Sequence, residues 1–389
     1  MKKRLYFLFV AFCIMTFFSA CKNQTLYKAI IITGQNDNNW TASSPILKTI
    51  LDQTGIFSTR IIKTPPKGGD MSMFNPDFSG YDLIVLDYNG DLWNERTRTA
   101  FLDFISDGGG VVFYGSSGDA FAEWKEYNEL IGLGGGEPAD SSSGPGGKHG
   151  EIIAYEVTTR NLEHPITKGL PSKWMHGKDE FVNRLSGHGR SMEILATATN
   201  DFRREELREG NRDEPVLMTI NYGLGRVFHT VMGNVEDTVG QAIQCAGFII
   251  TFQRGAEWVA SGSVTQEVPF DFPNMGGVVL RKDFKQSTWK DDMKQIEVYE
   301  IGRSTRCYTD LQEHIRRSFR KGEPLHEYEI AMVKTLKNKK ASIEGKKLLL
   351  HELSWMGSEY CIASIKEIAK TEDLKEAAEF ALARLSQHK

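Results

Sequence analysis

The sequence has few cysteines and no excess of positive charge, and both shortages narrow its possible functions. Five cysteines occur among 389 residues, and the last three, Cys245, Cys307 and Cys361, are widely spaced. Because this spacing gives neither a disulfide framework nor a CxxC metal motif, we predict that each packs as a small buried hydrophobe. Lys and Arg number 47 against 51 Asp and Glu, for a net charge of −4. This acidic balance argues against a nucleic-acid partner.

Long apolar runs are also scarce, and the one near the N-terminus is short. Residues 5–18 are almost entirely apolar and follow a Lys-Lys-Arg triplet, but the run is too short to span about 30 Å of hydrocarbon comfortably. Two small residues and Cys21 come next, as in a bacterial lipoprotein cleavage box. We therefore predict a lipoprotein signal peptide over residues 1–20 and a lipidated Cys21 that anchors the protein to a bacterial membrane, facing the periplasm. A simple secretory signal with a chance cysteine is the alternative.

Glycine and proline are nearly absent from the last quarter of the chain. All but four of the 37 glycines and all but one of the 12 prolines precede Asp283. This change in composition predicts an α/β domain over residues 21–282 and a helical domain over residues 283–389.

Short apolar runs alternate with helical stripes in the first domain. The runs lie at residues 29–33, 83–86 and 111–114, and residues 57–63 are predicted to form a second strand. A first helix is predicted to begin at Ser44-Pro45 and a second to cover residues 98–106. This alternation predicts a doubly wound, mostly parallel α/β sheet of the flavodoxin or glutamine-amidotransferase type. Later runs, at 194–198, 216–221 and 226–231, are predicted to extend it through hairpins.

Helical periodicity dominates the second domain. Apolar residues recur at helical spacing in five segments, the last of which runs from Leu374 to Leu385. Paired helices of this length resemble HEAT repeats, and a plain helical bundle is the alternative. Cations cluster at residues 316–321 and 334–347, so we expect this domain to dock on the acidic α/β domain or on an acidic protein partner.

Polar loops follow three of the predicted strands, where open α/β sheets bind ligands. The residues that we predict to contact substrate in these loops are Asn39, Trp40, Asn89, Trp93, Gly115 and Ser116. Amides suit sugar hydroxyls and an aromatic ring suits the apolar face of a sugar, so a carbohydrate ligand is predicted. The alternative is that the Asn and Gly runs only form turns.

Histidines and carboxylates in the middle of the chain are the candidate catalytic groups. His149, Asp179 and Glu180 are predicted to be catalytic, and His176 to contact substrate. Repulsion between adjacent Asp179 and Glu180 is expected to raise one carboxyl pKa. Alternatively, this pair caps a helix and His149 is solvated. No HxH or HxxxH pair is present, so no metal is predicted, and no cofactor.

Several motifs occur in one order along residues 27–273. They are T-G-Q-N-D-N-N-W (33–40), G-G-G-V-V-F-Y (108–114), A-F-x-x-W (120–124), H-P-I-x-x-G-L-P (164–171), W-x-H-x-x-D-E (174–180), E-P-V-L (214–217), G-R-V-F-H-T-x-x-G (225–233) and R-G-A-E-W (254–258). Together they resemble the ThuA-like family, named for trehalose utilisation. The resemblance implies a class I glutamine-amidotransferase-like fold and a role in carbohydrate catabolism, often beside dehydrogenases that make 3-keto sugars.

Three positions depart from the family pattern. The resemblance implies histidines where this sequence has Asn39, Gly115 and Asn234. Asn234 joins the predicted substrate contacts, because an amide still binds sugar hydroxyls although it does not titrate near neutral pH. Two functions remain open: a lipid-anchored enzyme that acts on a 3-keto sugar or glycoside by acid–base chemistry, and a non-catalytic sugar-binding or scaffold lipoprotein. Glutamine amidotransfer is excluded, since no cysteine follows the fourth strand.

Overall fold

The chain folds into two compact units. In the computed structural model, residues 26–133, 150–182, 185, 187, 191–199 and 213–387 are described. One unit holds the chain up to Val268 together with Phe272–Lys285, and the other holds Pro269–Asp271 and Gln286–Lys389. The first is built on a mixed nine-stranded sheet and the second is helical. The predicted fold class, an α/β sheet followed by a helical region, is therefore confirmed.

Nine strands of the first unit form one sheet. They are β1 (Tyr27–Thr33), β2 (Phe57–Lys63), β3 (Leu83–Leu86), β4 (Gly110–Tyr114), β5 (Ile152–Thr159), β6 (Lys173–Glu180), β7 (Met192–Thr199), β8 (Glu214–Tyr222) and β9 (Gly225–Thr230). Their order is β2-β1-β3-β4-β9-β8-β7-β5-β6. The pairs from β2 to β9 are parallel, and those from β9 to β6 are antiparallel.

The sequence predicted a mostly parallel sheet, whereas the observed sheet has equal numbers of parallel and antiparallel strand pairs. The change of direction occurs at β9, because only Gly223 and Leu224 connect it to β8. A two-residue connection can join antiparallel strands but is far too short for a parallel crossover.

Helices cover both faces of the parallel half of the sheet. They are α1 (Trp40–Asp52), α2 (Glu95–Ser106), α3 (Lys125–Ile131), α4 (Gln241–Gln244) and α5 (Ala246–Ser261). Leu47 of α1 and Phe248 of α5 belong to one apolar core, and Phe101 of α2 and Leu130 of α3 belong to another. Helix α1 begins four residues before the predicted start at Ser44, because the Asn39 side chain accepts a hydrogen bond from the Ala42 amide and caps it.

The described part of the second unit contains six helices. They are α6 (Trp289–Glu297), α7 (Arg306–Arg320), α8 (His326–Lys337), α9 (Ile343–Met356), α10 (Glu359–Ile368) and α11 (Glu372–Gln387). Each helix contributes apolar residues to one shared core, in which Leu311, Leu349 and Ala381 are fully buried. Across the described residues, no helix combines the length and the apolar character needed to cross a membrane.

Candidate functional site

Three loops at the carboxyl ends of parallel strands meet through their side chains. Asn38, after β1, donates from Nδ2 to Asn234 Oδ1 at 3.2 Å and lies 3.4 Å from Ser116 Oγ. Ser116, after β4, donates to Asn36 Oδ1 at 2.7 Å. We call these four residues the amide network. It joins segments that are up to 198 residues apart in the chain.

Asp87, which directly follows β3, is hydrogen-bonded to the amide network through Asn36. Its buried carboxylate accepts hydrogen bonds from Asn36 Nδ2 at 2.8 Å and from the Ser43 and Ser44 hydroxyls at 2.6 Å. Burial raises the pKa of Asp87, and these three hydrogen bonds oppose the rise. All three partners are neutral.

His176, Asp179 and Glu180 lie on β6, so the alternative in which Asp179 and Glu180 cap a helix is wrong. The register of β5 and β6 shifts here, since Ile153 faces Asp179 and Tyr155 faces His176. This bulge brings two residues three positions apart to the same side of β6. His176 Nε2 lies 2.9 Å from Asp179 Oδ2, and both side chains are fully buried.

Asp179 also holds the turn that follows β9. Its carboxylate accepts hydrogen bonds from the backbone amides of Gly233 at 2.7 Å and Asn234 at 3.3 Å. The antiparallel edge of the sheet therefore fixes the backbone that presents one member of the amide network.

Cys245 completes this buried cluster. Burial raises the pKa of its thiol, but the His176 charge and the backbone N–H groups of Gly177 and Gly247 outweigh burial and bring it below the ordinary value. Burial alone would lower the pKa of His176, whereas Cys245 and Asp179 raise it to about 10. Cys245 and Asp179 thus favour the charged form of His176, which does not line the cleft described next.

A narrow cleft opens where these strand ends meet. Its described lining consists of Asn38, Gly115, Ser116, Gly118, Asp119, Glu180, Val182, Leu185, His229, Val231 and Asn234. The open volume is about 20 Å³, room for about one water molecule. Of the predicted site residues, Gly115, Ser116, Glu180 and Asn234 meet here, whereas the buried Asp179 lies behind the lining.

Gly115 shapes this cleft through its backbone. Its φ is +54°, a value that favours glycine. A Cβ at this position would lie 2.6 Å from Asn234 Oδ1. The absence of a side chain therefore leaves room for the Asn234 amide.

His229 is a lining residue that the sequence analysis missed. It lies on β9, fully buried, with Nδ1 at 3.1 Å from the Ile131 carbonyl oxygen. Its Nε2 has no hydrogen-bond partner among the described residues. Burial lowers the pKa of His229 to about 4, although the Ile131 hydrogen bond opposes the shift. A histidine inside the otherwise apolar run V-F-H-T was the available signal, because a buried polar side chain is unusual.

The two predicted tryptophan platforms differ in exposure. Trp93 is 1% exposed and packs on Phe74, Phe101 and Phe121, with ring centroids about 5.5 Å apart. It belongs to the core, so the prediction that it stacks on a sugar does not fit this burial. Trp40 is half-buried, with Lys63 Nζ 5.1 Å from the ring centroid.

Two predicted amide contacts are engaged in loop structure. Asn89 exchanges hydrogen bonds with Asp37: its Oδ1 accepts from the Asp37 amide at 3.0 Å, and its Nδ2 donates to Oδ2 at 2.9 Å. Asn39 caps α1. Neither residue lines the cleft.

Two predicted residues, His149 and Cys21, lie outside the described residues. Within the described ranges, no group of three or more His, Cys, Asp or Glu side chains is arranged to hold a metal ion. The chemistry available to the described part of the cleft is thus that of amides, hydroxyls, carboxylates and one neutral imidazole.

Similarity to known proteins covers most of the first unit. Residues 28–259 match the ThuA family, described as trehalose utilisation. The crystal structure of a ThuA-like protein from Parabacteroides merdae shares 42% sequence identity and a TM-score of 0.63, covering 68% of this chain and 100% of that one. A ThuA-like protein from Bacteroides uniformis shares 16% identity and a TM-score of 0.46, over 64% and 97% of the two chains. No curated protein matches significantly.

Proposed function

The chain belongs to the ThuA family, and from this premise we propose that its first unit binds a carbohydrate in the cleft and acts on it by acid–base chemistry. The observation that carries the proposal is the meeting of the amide network with Glu180 in one cleft. Amide and hydroxyl groups both donate and accept hydrogen bonds, as sugar hydroxyls do. A carboxylate beside them supplies a group that can hold or accept a proton.

The roles divide between residues that line the cleft and residues behind it. Glu180 is the proposed acid–base group, and His149, which lies outside the described residues, is proposed as a second catalytic group. Asp179 is a positioning residue, because its oxygens bind His176 and the turn after β9. Asn38, Ser116 and Asn234 bind the sugar hydroxyls. Since the open volume is about one water molecule, we expect the cleft to widen on binding.

The test pairs turnover with binding. Purified mature protein is incubated with a panel of glycosides and their 3-keto derivatives, and product formation and thermal shift are followed together. We expect Glu180→Gln to lower the rate by about 10²–10⁴, the usual cost of removing an acid–base group. Glu163→Gln is the control, because Glu163 is an exposed carboxylate outside the cleft. Rates within about threefold of wild type in both Glu180→Gln and His149→Ala would contradict the roles.

A binding protein without catalysis is the second candidate. It is favoured by the amide network, whose side chains match hydroxyl groups but do not titrate near neutral pH. Thermal shifts without product across the panel would support it. If the panel gives neither product nor a thermal shift, the carbohydrate assignment itself is contradicted.

We also propose that Cys21 carries a lipid that anchors the mature protein to a bacterial membrane, on its periplasmic side. The support is the short apolar run, the small residues and the cysteine that follows them. Cys21→Ala is expected to release the protein from the membrane fraction, whereas Cys13→Ala, inside the signal peptide, is expected to leave partition unchanged. Equal partition of both variants and wild type would overturn the assignment, and protease accessibility on intact cells tests the orientation.

A further inference from the structure

We propose that His229 recognises the ligand in the cleft, with Nε2 accepting a hydrogen bond from a ligand hydroxyl. The proposal rests on the proposed function and names the chemistry that this site selects: a ligand rich in hydroxyl donors. Four observations support it.

The first is the tautomer of the ring. His229 Nδ1 lies 3.1 Å from the Ile131 carbonyl oxygen. A carbonyl oxygen can only accept, so Nδ1 must carry the proton and donate it. In a neutral imidazole the other nitrogen is then an acceptor, and this nitrogen is Nε2.

The second is the place of Nε2. His229 is fully buried and belongs to the cleft lining, and its Nε2 has no hydrogen-bond partner among the described residues. A buried acceptor without a partner is unfavourable, and a hydroxyl in the cleft would satisfy it.

The third is the glycine above the ring. A Cβ at Gly118 would lie 3.0 Å from both Nε2 and Cε1 of His229. The Phe113 ring supports the imidazole by an edge contact at 6.0 Å between centroids. The Phe113 ring thus packs against the imidazole, and no side chain at position 118 lies against its accepting nitrogen.

The fourth is its charge. Burial lowers the pKa of His229 to about 4, so the ring is neutral at physiological pH. A base this weak is suited to accepting a hydrogen bond rather than to abstracting a proton.

Two substitutions at His229 test the contribution of Nε2, the proposed acceptor, separately from that of Nδ1, which donates to Ile131. In His229→Asn, the side-chain amide keeps a donor near the Nδ1 position for Ile131 but removes the acceptor. In His229→Gln, an amide oxygen reaches the Nε2 position but the donor to Ile131 is lost. We expect His229→Asn to keep thermal stability and weaken binding of a glycoside by about tenfold or more, and His229→Gln to lose stability and keep affinity within about threefold.

A third variant covers the acceptor without touching the histidine. Gly118→Ala places a methyl group against Nε2, and its backbone φ lies outside the range that favours glycine. We expect it to weaken binding as His229→Asn does. If His229→Asn and Gly118→Ala both bind as wild type does, the assignment is overturned.

A measurement that needs no ligand completes the test. Nitrogen NMR of histidine-labelled protein, with His229→Asn used to assign the signal, should show a protonated Nδ1 and a bare Nε2 at pH 7. A protonated Nε2 would overturn the proposal. Failure of wild type to bind any glycoside in the panel would instead contradict the proposed function, with the tautomer unaffected.

Discussion

The parallel and antiparallel halves of the sheet contribute different chemistry to the same cleft. The parallel half ends in loops whose side chains are mostly neutral and hydrogen-bond to one another, with Asp87 beneath them. The antiparallel half contributes β6, with the buried pair of His176 and Asp179 and with Glu180 at the cleft. Strand β9 joins the halves and carries His229.

This difference separates two kinds of buried carboxylate. Asp87 is satisfied by an amide and two hydroxyls, whereas Asp179 faces a histidine cation. Loss of hydrogen bonds to neutral partners is expected to cost less unfolding free energy than loss of an interaction with a buried charge. The same substitution should therefore have unequal effects in the two halves.

Asp179→Asn should have the largest effect. It removes one of the two groups that raise the pKa of His176 in a fully buried site, and it disrupts the hydrogen bonds from the Gly233 and Asn234 amides, so we expect a loss of about 3–5 kcal/mol of unfolding free energy. Chemical denaturation of the full chain measures it. Asp237→Asn, at an exposed position on the loop after β9, is the control and should stay within about 0.5 kcal/mol. A cost for Asp179→Asn as small as the control's would show that the pair is not charged.

Asp87→Asn should cost less, about 1–3 kcal/mol, because its three partners are neutral and the hydroxyls can turn to accept instead. The same denaturation experiment and control apply. If its cost equals that of Asp179→Asn, the contrast between the halves is wrong.

The two buried histidines should give opposite pH dependence. The pKa of His176 is raised to about 10, so its contribution to stability is present below about pH 6.5 and is lost as pH rises towards 10. The pKa of His229 is lowered to about 4, so its contribution is present above about pH 6.5 and is lost as pH falls towards 4. The test measures the unfolding free energy of wild type, His229→Asn and His176→Asn across this pH range. His229→Asn should flatten the acid side of the stability curve, and His176→Asn should flatten its alkaline side. Parallel curves for all three proteins would contradict both assignments.

Trp40→Ala should have the smallest effect on stability. The ring is half-buried and its recorded cation contact is with Lys63, so the cost should not exceed about 1 kcal/mol. Isothermal denaturation checks this value, and glycoside affinity measured in parallel tests the predicted sugar contact. A loss above about 3 kcal/mol would place Trp40 in the core, as Trp93 is.

The sequence predicted the parallel half better than the antiparallel half. Strands β2 and β3 have the predicted bounds, and the unbroken apolar run of β3 is typical of a strand covered on both faces. Strand β6 has the sequence K-W-M-H-G-K-D-E, which shows no regular alternation of apolar and polar residues. Neither its pairing with β5 nor its bulge could therefore be predicted from the sequence. The position of Asp179 depends on β5, a partner the sequence analysis did not assign.

The local sequence did not predict which of the candidate site residues are buried. Trp40 and Trp93 both follow loops rich in amides and acids, but only Trp93 meets aromatic residues from distant segments, such as Phe74 and Phe121. His229 shows the reverse case: its apolar neighbours indicated a core strand, but the folded chain places it in the cleft lining beside Gly118, which has no side chain against the ring.

Gly115 also constrains the order in which this site can change during evolution. Any side chain at position 115 would begin 2.6 Å from Asn234 Oδ1 and would need a left-handed backbone. A lineage could therefore gain a side chain there only together with a rearrangement of the side chain at position 234 and of the loop after β4. Substitutions at 115 and 234 are predicted to be epistatic, so a combinatorial library at the two positions should recover active pairs that neither single substitution reveals.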